Sequence, residues 1–305
     1  MTIKFRARHK SGFWVDGPLT PFTFPGGEAH IKQEVGSDLG DYTKFVADIR
    51  GLDPQDLFHF LMWEDLIYRD GPEDADTTLI MPYIPAARAD RGAPLGIYVY
   101  AAPIIASDIK KIVVLDPHSG ASEKIYGDRL DIFPVERIIR KEIQDASTDS
   151  KPNHTYQGVI APDKGSKARA EAAARVMGVP VYFAGKTRDE ETGRLSNFHM
   201  EDELPAEGKF LLVDDICDGG GTFIGLAEAM GLGKDRLDLW VTHGIFSKGF
   251  TELLQHFDTI HTTDSYLPDS NVYYPRPEMG TVVIPRDRVK VHKITPYLYG
   301  EAEIA

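Results

Sequence analysis

The fold of this chain is decided by one stretch, Phe210-Leu211-Leu212-Val213-Asp214-Asp215-Ile216-Cys217-Asp218-Gly219-Gly220-Gly221-Thr222-Phe223. Its four leading apolar residues are typical of a buried strand, and the apolar segment around Gly225 is typical of the helix that follows. Three carboxylates and three glycines lie between them. Glycines at a strand-to-helix turn let backbone N–H groups surround an anion, and the positive end of the helix dipole adds to the attraction. The turn therefore predicts a phosphate-binding loop.

The two adjacent acids of this stretch suggest a second ligand group. Asp214 and Asp215 follow the last apolar residue of the strand, where carboxylates can accept hydrogen bonds from sugar hydroxyls or hold a metal. A ribose phosphate would satisfy both the acids and the glycines. The alternative is an ordinary strand–turn–helix in which Asp218 only caps the helix. The glycine spacing fits neither the dinucleotide fingerprint G-x-G-x-x-G nor a P-loop.

Composition and charge exclude several classes of protein. The net charge of −13 argues against a general nucleic-acid binder and against a protein that binds anionic membranes. Anionic substrates must then be held by local clusters of Lys and Arg. A single cysteine, Cys217, excludes a disulfide framework and fits a reducing compartment. No apolar leader follows the basic N-terminus, and Pro103 interrupts the longest apolar stretch, so we expect a cytoplasmic protein without a membrane span.

Short apolar strands alternate with helix-like segments, which predicts a mostly parallel α/β sheet. The predicted strands are 78–81, 112–115, 158–161, 179–183, 210–213 and 239–242, and the predicted helix is 167–176. Polar residues follow several of these strands, at the edge where open α/β sheets bind ligands. The polar segment 145–154 is the predicted linker. We therefore expect domains at 1–144 and 145–284 and a C-terminal tail at 285–305, which can return to pack on the first domain.

Two segments in the N-terminal half carry groups suited to a nucleotide. Arg88 and Arg91 can grip a polyphosphate while Asp90 orients one guanidinium, although a solvated basic turn would look the same. His118 follows a predicted strand and could touch a metal or a phosphate, although a histidine there is also often structural.

Two segments in the C-terminal half carry charged residues that could also bind phosphate groups. Asp163 is followed by a glycine and a helix start, and Lys164, Lys167 and Arg169 add positive charge there. Lys186 and Arg188 open a charged, glycine-containing stretch, 186–203, which would suit a mobile lid over a transferring phosphoryl group. The alternative for that stretch is a surface hairpin.

In order along the chain, these segments resemble the ribose-phosphate pyrophosphokinases, also called phosphoribosyl-pyrophosphate synthetases. The matches begin with 24–28, similar to the family's F-S-D-G-E, and 82–91, similar to P-Y-x-x-x-A-R-x-D-R. They continue with D-x-H at 116–118, S/A-P-D at 161–163, the start of the K-R-R loop at 186–188, the ribose-phosphate loop at 214–222 and T-H-x-x-F-S at 242–247. The ordered set spans about residues 22–265.

The resemblance implies two tandem phosphoribosyltransferase-like domains, each a mostly parallel sheet flanked by helices, with the site between them and a homo-oligomer, a dimer or a hexamer. It implies a Mg²⁺-dependent transfer of the diphosphoryl group of ATP to the C1 hydroxyl of ribose 5-phosphate, with release of AMP. The residues that correspond to the family's catalytic groups are Lys186, Arg188 and His118. Those that correspond to its ATP site are Phe24, Glu28, Arg88, Asp90, Arg91 and His118, and those for the metal are His118 and Asp163. The ribose-phosphate site corresponds to Asp214, Asp215, Asp218, Gly219, Gly220, Gly221 and Thr222.

Departures from the family pattern leave the substrates open. Gly26 replaces the Asp of F-S-D-G-E, and Ala89 replaces the Gln between the two arginines. Gly219 stands where the family has Thr, which removes a hydroxyl from the phosphate loop and suggests open space beside it. ADP-ribose, which has a phosphoribosyl group and a free C1 hydroxyl, is therefore an alternative acceptor. A phosphoribosyltransferase that consumes phosphoribosyl pyrophosphate, and a catalytically silent regulatory relative, are further alternatives.

Overall fold

A computed structural model describes residues 3–51, 53–144, 156–188, 195–266, 272–273 and 282–299. The chain divides into two compact units, one formed by 1–133 with 295–305 and the other by 134–294. These limits differ from the predicted ones, because helical residues after Pro134 join the second unit and 295–305 join the first. The predicted linker, 145–154, lies outside the described residues.

The first unit is built on a six-stranded sheet with strand order β2-β1-β5-β6-β7-β8 and a separate hairpin, β3-β4. Its strands are β1 (Ile3–His9), β2 (Trp14–Asp16), β3 (Leu19–Thr23), β4 (Ala29–Gln33), β5 (Tyr42–Ile49), β6 (Asp76–Ile80), β7 (Lys111–Leu115) and β8 (Leu130–Phe133). Its helices up to Phe133 are α1 (Pro54–Asp70) and α2 (Gly96–Ala106), the shorter α3 (Ala121–Tyr126), and 3₁₀ turns at Leu39–Asp41 and Gly127–Arg129. Strands β5 to β8 are parallel, whereas β1 is antiparallel to both neighbours.

Helix α1 shows how the sequence sets an element of this unit. Asp53 caps the helix by accepting a hydrogen bond from the N–H of Gln55 at 3.0 Å, and Pro54 occupies the first turn. The helix buries Phe60 and Trp63, and the Trp63 ring stacks on Phe5 of β1 at 5.6 Å between centroids. The apolar side of α1 therefore covers one face of the sheet.

The second unit contains a seven-stranded sheet with strand order β11-β10-β9-β12-β13-β14-β17, in which only the β10–β11 pair is antiparallel. Its elements begin with α4 (Val135–Ile139), a π-helical turn at Arg140–Gln144, β9 (Gly158–Ala161), α5 (Lys167–Met177), β10 (Val181–Arg188) and β11 (Leu195–Met200). They continue with β12 (Phe210–Cys217), α6 (Gly221–Met230), a 3₁₀ turn at Lys234–Arg236, β13 (Leu237–Gly244), α7 (Leu253–His256), β14 (Ile260–Thr263), the short pair β15 (Val272–Tyr273) and β16 (Val282–Val283), and β17 (Val289–His292).

The last described segment belongs to the first unit. It contains α8 (Thr295–Leu298) and Tyr299, whose ring packs against Val46, Ile80 and Val113 of the first sheet. Within the described residues, no helix has the length and apolar character needed to cross a bilayer.

The predicted fold class is confirmed, because each unit has a mostly parallel sheet flanked by helices. Two strands are longer than predicted. β12 continues past Val213 to Cys217, since it pairs along its length with β13, and β10 continues to Arg188, since it pairs with β11. Asp214, Asp215 and the candidates at 186 and 188 are therefore in strands rather than after them.

Candidate ribose-phosphate site

An arginine from a neighbouring helix holds the acidic pair of β12. Nη1 of Arg169, in the first turn of α5, donates to Oδ1 of Asp214 at 3.3 Å, and its Nη2 lies 3.7 Å from Oδ2 of Asp215. The N–H of Asp215 also donates to Oδ1 of Asp214 at 3.0 Å. All three side chains are at most 15% exposed. One buried cation thus fixes two buried carboxylates at this edge of the sheet.

The electrostatics of the pair oppose full ionisation. Burial raises the pKa of Asp214 well above its usual value, and the charge of Asp215 raises it further. Arg169 opposes this shift, whereas Asp163 adds to it. The pair is therefore held by the arginine but resists carrying two full charges, and its oxygens remain placed to accept hydrogen bonds from hydroxyl groups.

The glycine turn after β12 presents unused hydrogen-bond donors. Gly220 has a φ of +79°, and Leu253 lies 3.1 Å from the position that a Cβ would take there, so glycine is required. The N–H groups of Gly219, Gly220, Gly221 and Thr222 have no acceptor in the described part of the protein. The turn leads into the ten-residue helix α6. Consecutive free donors at a helix start favour an anion.

The segment after β13 holds this turn in place. The N–H groups of Ile245 and Phe246 donate to the carbonyl oxygen of Cys217 at 2.8 and 3.1 Å, and that of Ser247 donates to the carbonyl oxygen of Asp218 at 3.1 Å. The 242–247 motif thus supports the phosphate loop through its backbone.

Lys248 covers the position where open space was expected. Its Cε, Cδ and Cγ lie 3.5, 3.6 and 3.9 Å from the place of a Cβ at Gly219. The expectation of open space beside Gly219 is therefore wrong, because the lysine stem occupies it. Sequence reasoning overlooked Lys248, although its position directly after the 242–247 motif, beside β12, was a usable signal.

Asp163 has a structural role in addition to its predicted role as a metal ligand. Its Oδ1 accepts hydrogen bonds from the N–H groups of Gly165 and Ser166 at 2.9 and 3.1 Å, which shapes the turn before α5. Nζ of Lys167 lies 4.3 Å from the centroid of the Phe183 ring, a cation–π contact. Of the predicted cations in this segment, Arg169 has the ion pairs with the acidic residues.

The predicted lid begins as a hairpin. Lys186 and Arg188 lie in β10, which pairs with β11 so that Arg188 faces Leu195 across the ladder. Residues 189–194 lie outside the described part of the chain. Phe198 of β11 lies 2.4 Å from the place of a Cβ at Gly225, so the hairpin packs closely on α6.

The nucleotide candidates are in the first unit. Asp90 accepts a hydrogen bond from the hydroxyl of Ser119 at 2.7 Å, which joins the 82–91 segment to the loop after β7. Nε of Arg91 lies 3.9 Å from Oδ1 of Asp90, and the Arg91 side chain is 91% exposed. The main contact of Asp90 is therefore with Ser119 rather than with a guanidinium. Arg88 and His118 are exposed, and Asp116 has a φ of +43°.

Phe24 and Glu28 lie at the tip of the β3–β4 hairpin. Phe24 is 42% exposed and contacts Phe22 and His30 edge-on, at 4.9 and 5.3 Å between ring centroids. Gln55 of α1 donates to the carbonyl oxygen of Gly27 at 2.9 Å and holds the tip. The tip presents an aromatic face to solvent.

The candidate metal ligands are in different units, His118 in the first and Asp163 in the second. Among the described residues, no group of three or more His, Cys, Asp or Glu side chains is arranged to hold a metal ion.

Comparisons with known proteins show what the chain is similar to. Residues 109–232 match the phosphoribosyl transferase domain family. The ribose-phosphate pyrophosphokinase of Bradyrhizobium diazoefficiens is 29% identical over 203 residues, which cover 64% of this chain and 62% of that protein. The ribose-phosphate pyrophosphokinase of Thermococcus kodakarensis is 27% identical over 236 residues, 75% of this chain and 78% of that protein. The chain is thus similar to the ribose-phosphate pyrophosphokinases, and these similarities support a divergent relationship to that family.

A solved structure agrees with the fold expected for a pyrophosphokinase of this family. The crystal structure of phosphoribosylpyrophosphate synthetase from Mycobacterium smegmatis aligns with a TM-score of 0.68 and 20% identity, over 93% of this chain and 88% of that one. The fold that the ordered motifs implied is thereby confirmed. The alignment with the Bradyrhizobium pyrophosphokinase covers less than two thirds of that relative's length.

Proposed function

We propose that this pyrophosphokinase relative transfers the diphosphoryl group of ATP to the C1 hydroxyl of ribose 5-phosphate. The C1 oxygen forms a bond to the β-phosphorus, the bond from that phosphorus to the α-phosphate oxygen breaks, and the hydroxyl proton passes to solvent. The products are phosphoribosyl pyrophosphate and AMP. The observation that carries this proposal is the combination, in one loop, of an arginine-held acidic pair with four N–H groups that have no acceptor among the described residues.

In the second unit, each half of the loop would bind a different part of the sugar phosphate. Asp214 and Asp215 would accept hydrogen bonds from ribose hydroxyls, since Arg169 holds the pair in position. The N–H groups of Gly219–Thr222 would bind the 5-phosphate, with Asp218 at the start of the turn. Lys186 and Arg188 would stabilise the charge that develops on the transferred phosphoryl oxygens.

In the first unit, ATP would be held by two separate segments. Arg88 and Arg91 would bind phosphates, with Asp90 fixed by Ser119. Phe24 would supply an aromatic face for the base, and Glu28 lies on the same hairpin tip.

A divalent cation fits the residue types of the candidate metal ligands. Mg²⁺ binds through one or two carboxylates together with substrate phosphates, so a preformed cluster of three protein ligands is not required. Asp163 is the candidate ligand in the second unit and His118 is the candidate ligand in the first, in line with the residue types of the family motif. When bound, the ion neutralises charge on the transferred phosphates.

The test is incubation of the purified protein with ATP, MgCl₂ and either ribose 5-phosphate or ADP-ribose, with AMP measured by chromatography. We expect AMP with ribose 5-phosphate and none with acceptor omitted. AMP formation with ADP-ribose but not with ribose 5-phosphate would show that ADP-ribose is the acceptor. Pyrophosphate release from phosphoribosyl pyrophosphate and a purine, without AMP formation, would indicate a transferase, and no turnover in any assay would indicate a silent relative.

A further inference from the structure

Lys248 is a cation without a counter-charge. It is exposed, and it makes no ion pair with any described residue. A lysine beside a turn whose N–H groups have no acceptor among the described residues favours an external anion.

The path of the side chain leads onto the phosphate loop. The distance to the place of a Cβ at Gly219 falls from 3.9 Å at Cγ to 3.5 Å at Cε, so the stem approaches the loop toward its charged end. The base of Lys248 is held because Ser247 donates to the carbonyl oxygen of Asp218, and Gly249 donates to that of Phe246 at 2.8 Å.

We propose that Lys248 is a substrate-binding residue. It makes the contact with the 5-phosphate of the substrate that Gly219, which has no side chain, cannot make. This inference rests on the proposed function of the loop. A lysine ammonium is a point charge that binds phosphate strongly. A phosphomonoester carries close to two negative charges at neutral pH, whereas each phosphate of a diphosphate diester carries one. Lys248 therefore selects ribose 5-phosphate over an acceptor whose 5-phosphate is substituted, since its stem also fills the space for a substituent.

The test measures binding of ribose 5-phosphate by calorimetry without ATP. Lys248→Met keeps most of the stem and removes the charge, so we expect affinity to fall about tenfold. Lys234→Met, an exposed lysine in the 234–236 turn of the same unit, is the matched control and should bind as the wild type does. Lys248→Ala, which also removes the stem, should raise the affinity for ADP-ribose relative to that for ribose 5-phosphate.

A rescue separates a binding role from a structural one. A Cβ at position 219 would meet the lysine stem at ordinary contact distance, and φ there is not in the left-handed region, so the backbone permits the Cβ that Gly219→Thr introduces. In the Lys248→Met background this substitution supplies a hydroxyl to the phosphate and should restore most of the lost affinity. Unchanged affinity in Lys248→Met, or no recovery in the double variant, would overturn the proposal.

The failure of this inference is distinguishable from the failure of the proposed function. If the wild type binds no ribose 5-phosphate, the proposed acceptor is refuted. If the wild type binds it and Lys248→Met binds it equally well, only the role of Lys248 is refuted.

Discussion

Arg169 is the residue that holds Asp214 and Asp215 in a position to bind sugar hydroxyls. Two carboxylates that are both buried and adjacent would otherwise share a proton, since burial and mutual repulsion raise the pKa of Asp214. The arginine places one positive charge beside the two carboxyl groups and lowers the pKa of Asp214 against these effects. Such a pair can accept hydrogen bonds from sugar hydroxyls without attracting the phosphate.

Replacing Arg169 by Met should lower both stability and substrate affinity. Loss of the cation removes the arginine ion pairs of two adjacent carboxylates, for which we expect a fall of about 3 kcal/mol in the free energy of unfolding. Binding of ribose 5-phosphate should weaken at pH 7 and recover in part at higher pH, because the pKa of Asp214 rises further in the variant. Denaturant titration and calorimetry at several pH values measure these effects.

Arg175→Met is the control for that substitution, since Arg175 is exposed at the other end of α5. Equal stability of the two variants would show that the Arg169 ion pairs contribute nothing.

The β10–β11 hairpin is the element with the greatest expected effect on catalysis. Its strand β10 positions Lys186 and Arg188, and its strand β11 packs on α6 through Phe198. The hairpin is thus attached to the helix that begins at the phosphate loop.

Lys186→Ala should reduce turnover by at least about 100-fold, because it removes a charge that would act on the transferred phosphoryl group. The free energy of unfolding should change little. Steady-state AMP formation and denaturant titration measure the two quantities, with Lys234→Ala as control. A wild-type rate in Lys186→Ala would show that the residue has no catalytic role.

The edge of the second sheet contains a buried histidine pair. Nδ1 of His261 on β14 lies 3.1 Å from Nε2 of His292 on β17, and Nδ1 of His292 lies 3.0 Å from Oε2 of Glu142. Burial lowers the pKa of His261 to about 3, and the charge of His292 lowers it further. The neutral imidazole is therefore part of the folded edge.

Stability should fall as the pH falls from 6.5 toward 3, since the unfolded chain protonates His261 at its ordinary pKa and the folded chain does not. The expected contribution is at most about 1.4 kcal/mol per pH unit in this window, and it is absent above pH 7. Denaturant titrations of the wild type and His261→Gln at pH 7.5, 6.5 and 5.5 measure it. A constant difference between the two proteins across these pH values would contradict the assignment.

At the scale of the whole molecule, the chain returns to its first unit at the end. Tyr299 donates to Oδ2 of the buried Asp48 at 2.9 Å, and Nη2 of Arg50 donates to the same carboxylate oxygen at 2.8 Å. Burial and the charge of Asp48 raise the pKa of Tyr299, so its hydroxyl remains a donor. The C-terminal segment covers the sheet face opposite α1 and closes the first unit.

Tyr299→Phe should lower the free energy of unfolding by about 2 kcal/mol, because it removes a buried hydrogen bond to a charged group while preserving the ring. Tyr68→Phe, whose side chain is 72% exposed, is the control and should be neutral. Thermal and denaturant unfolding measure both. Equal stability of the two variants would show that the hydroxyl does not fasten the segment.

Several features followed from the sequence alone because they depend on neighbouring residues. The apolar runs at 112–115, 158–161 and 210–213 predicted parallel strands, and the Asp-Gly-Gly-Gly-Thr turn predicted an anion-binding helix start. The order of the motifs identified the family. Such signals are local, since strand propensity, turn chemistry and motif spacing are read within a few residues.

The tertiary structure decided what depends on contacts between distant residues. The pairing of β12 with β13 and of β10 with β11 set the true strand ends, and no pattern within those strands reveals their partners. Arg169 meets the acidic pair only because α5 packs beside β12, and Lys248 reaches Gly219 only because the segment after β13 is bonded to the loop after β12. The sequence by itself determined which chemical groups are present and predicted the turn whose N–H groups can donate to a phosphate. The long-range packing decided which charged side chains lie beside that turn.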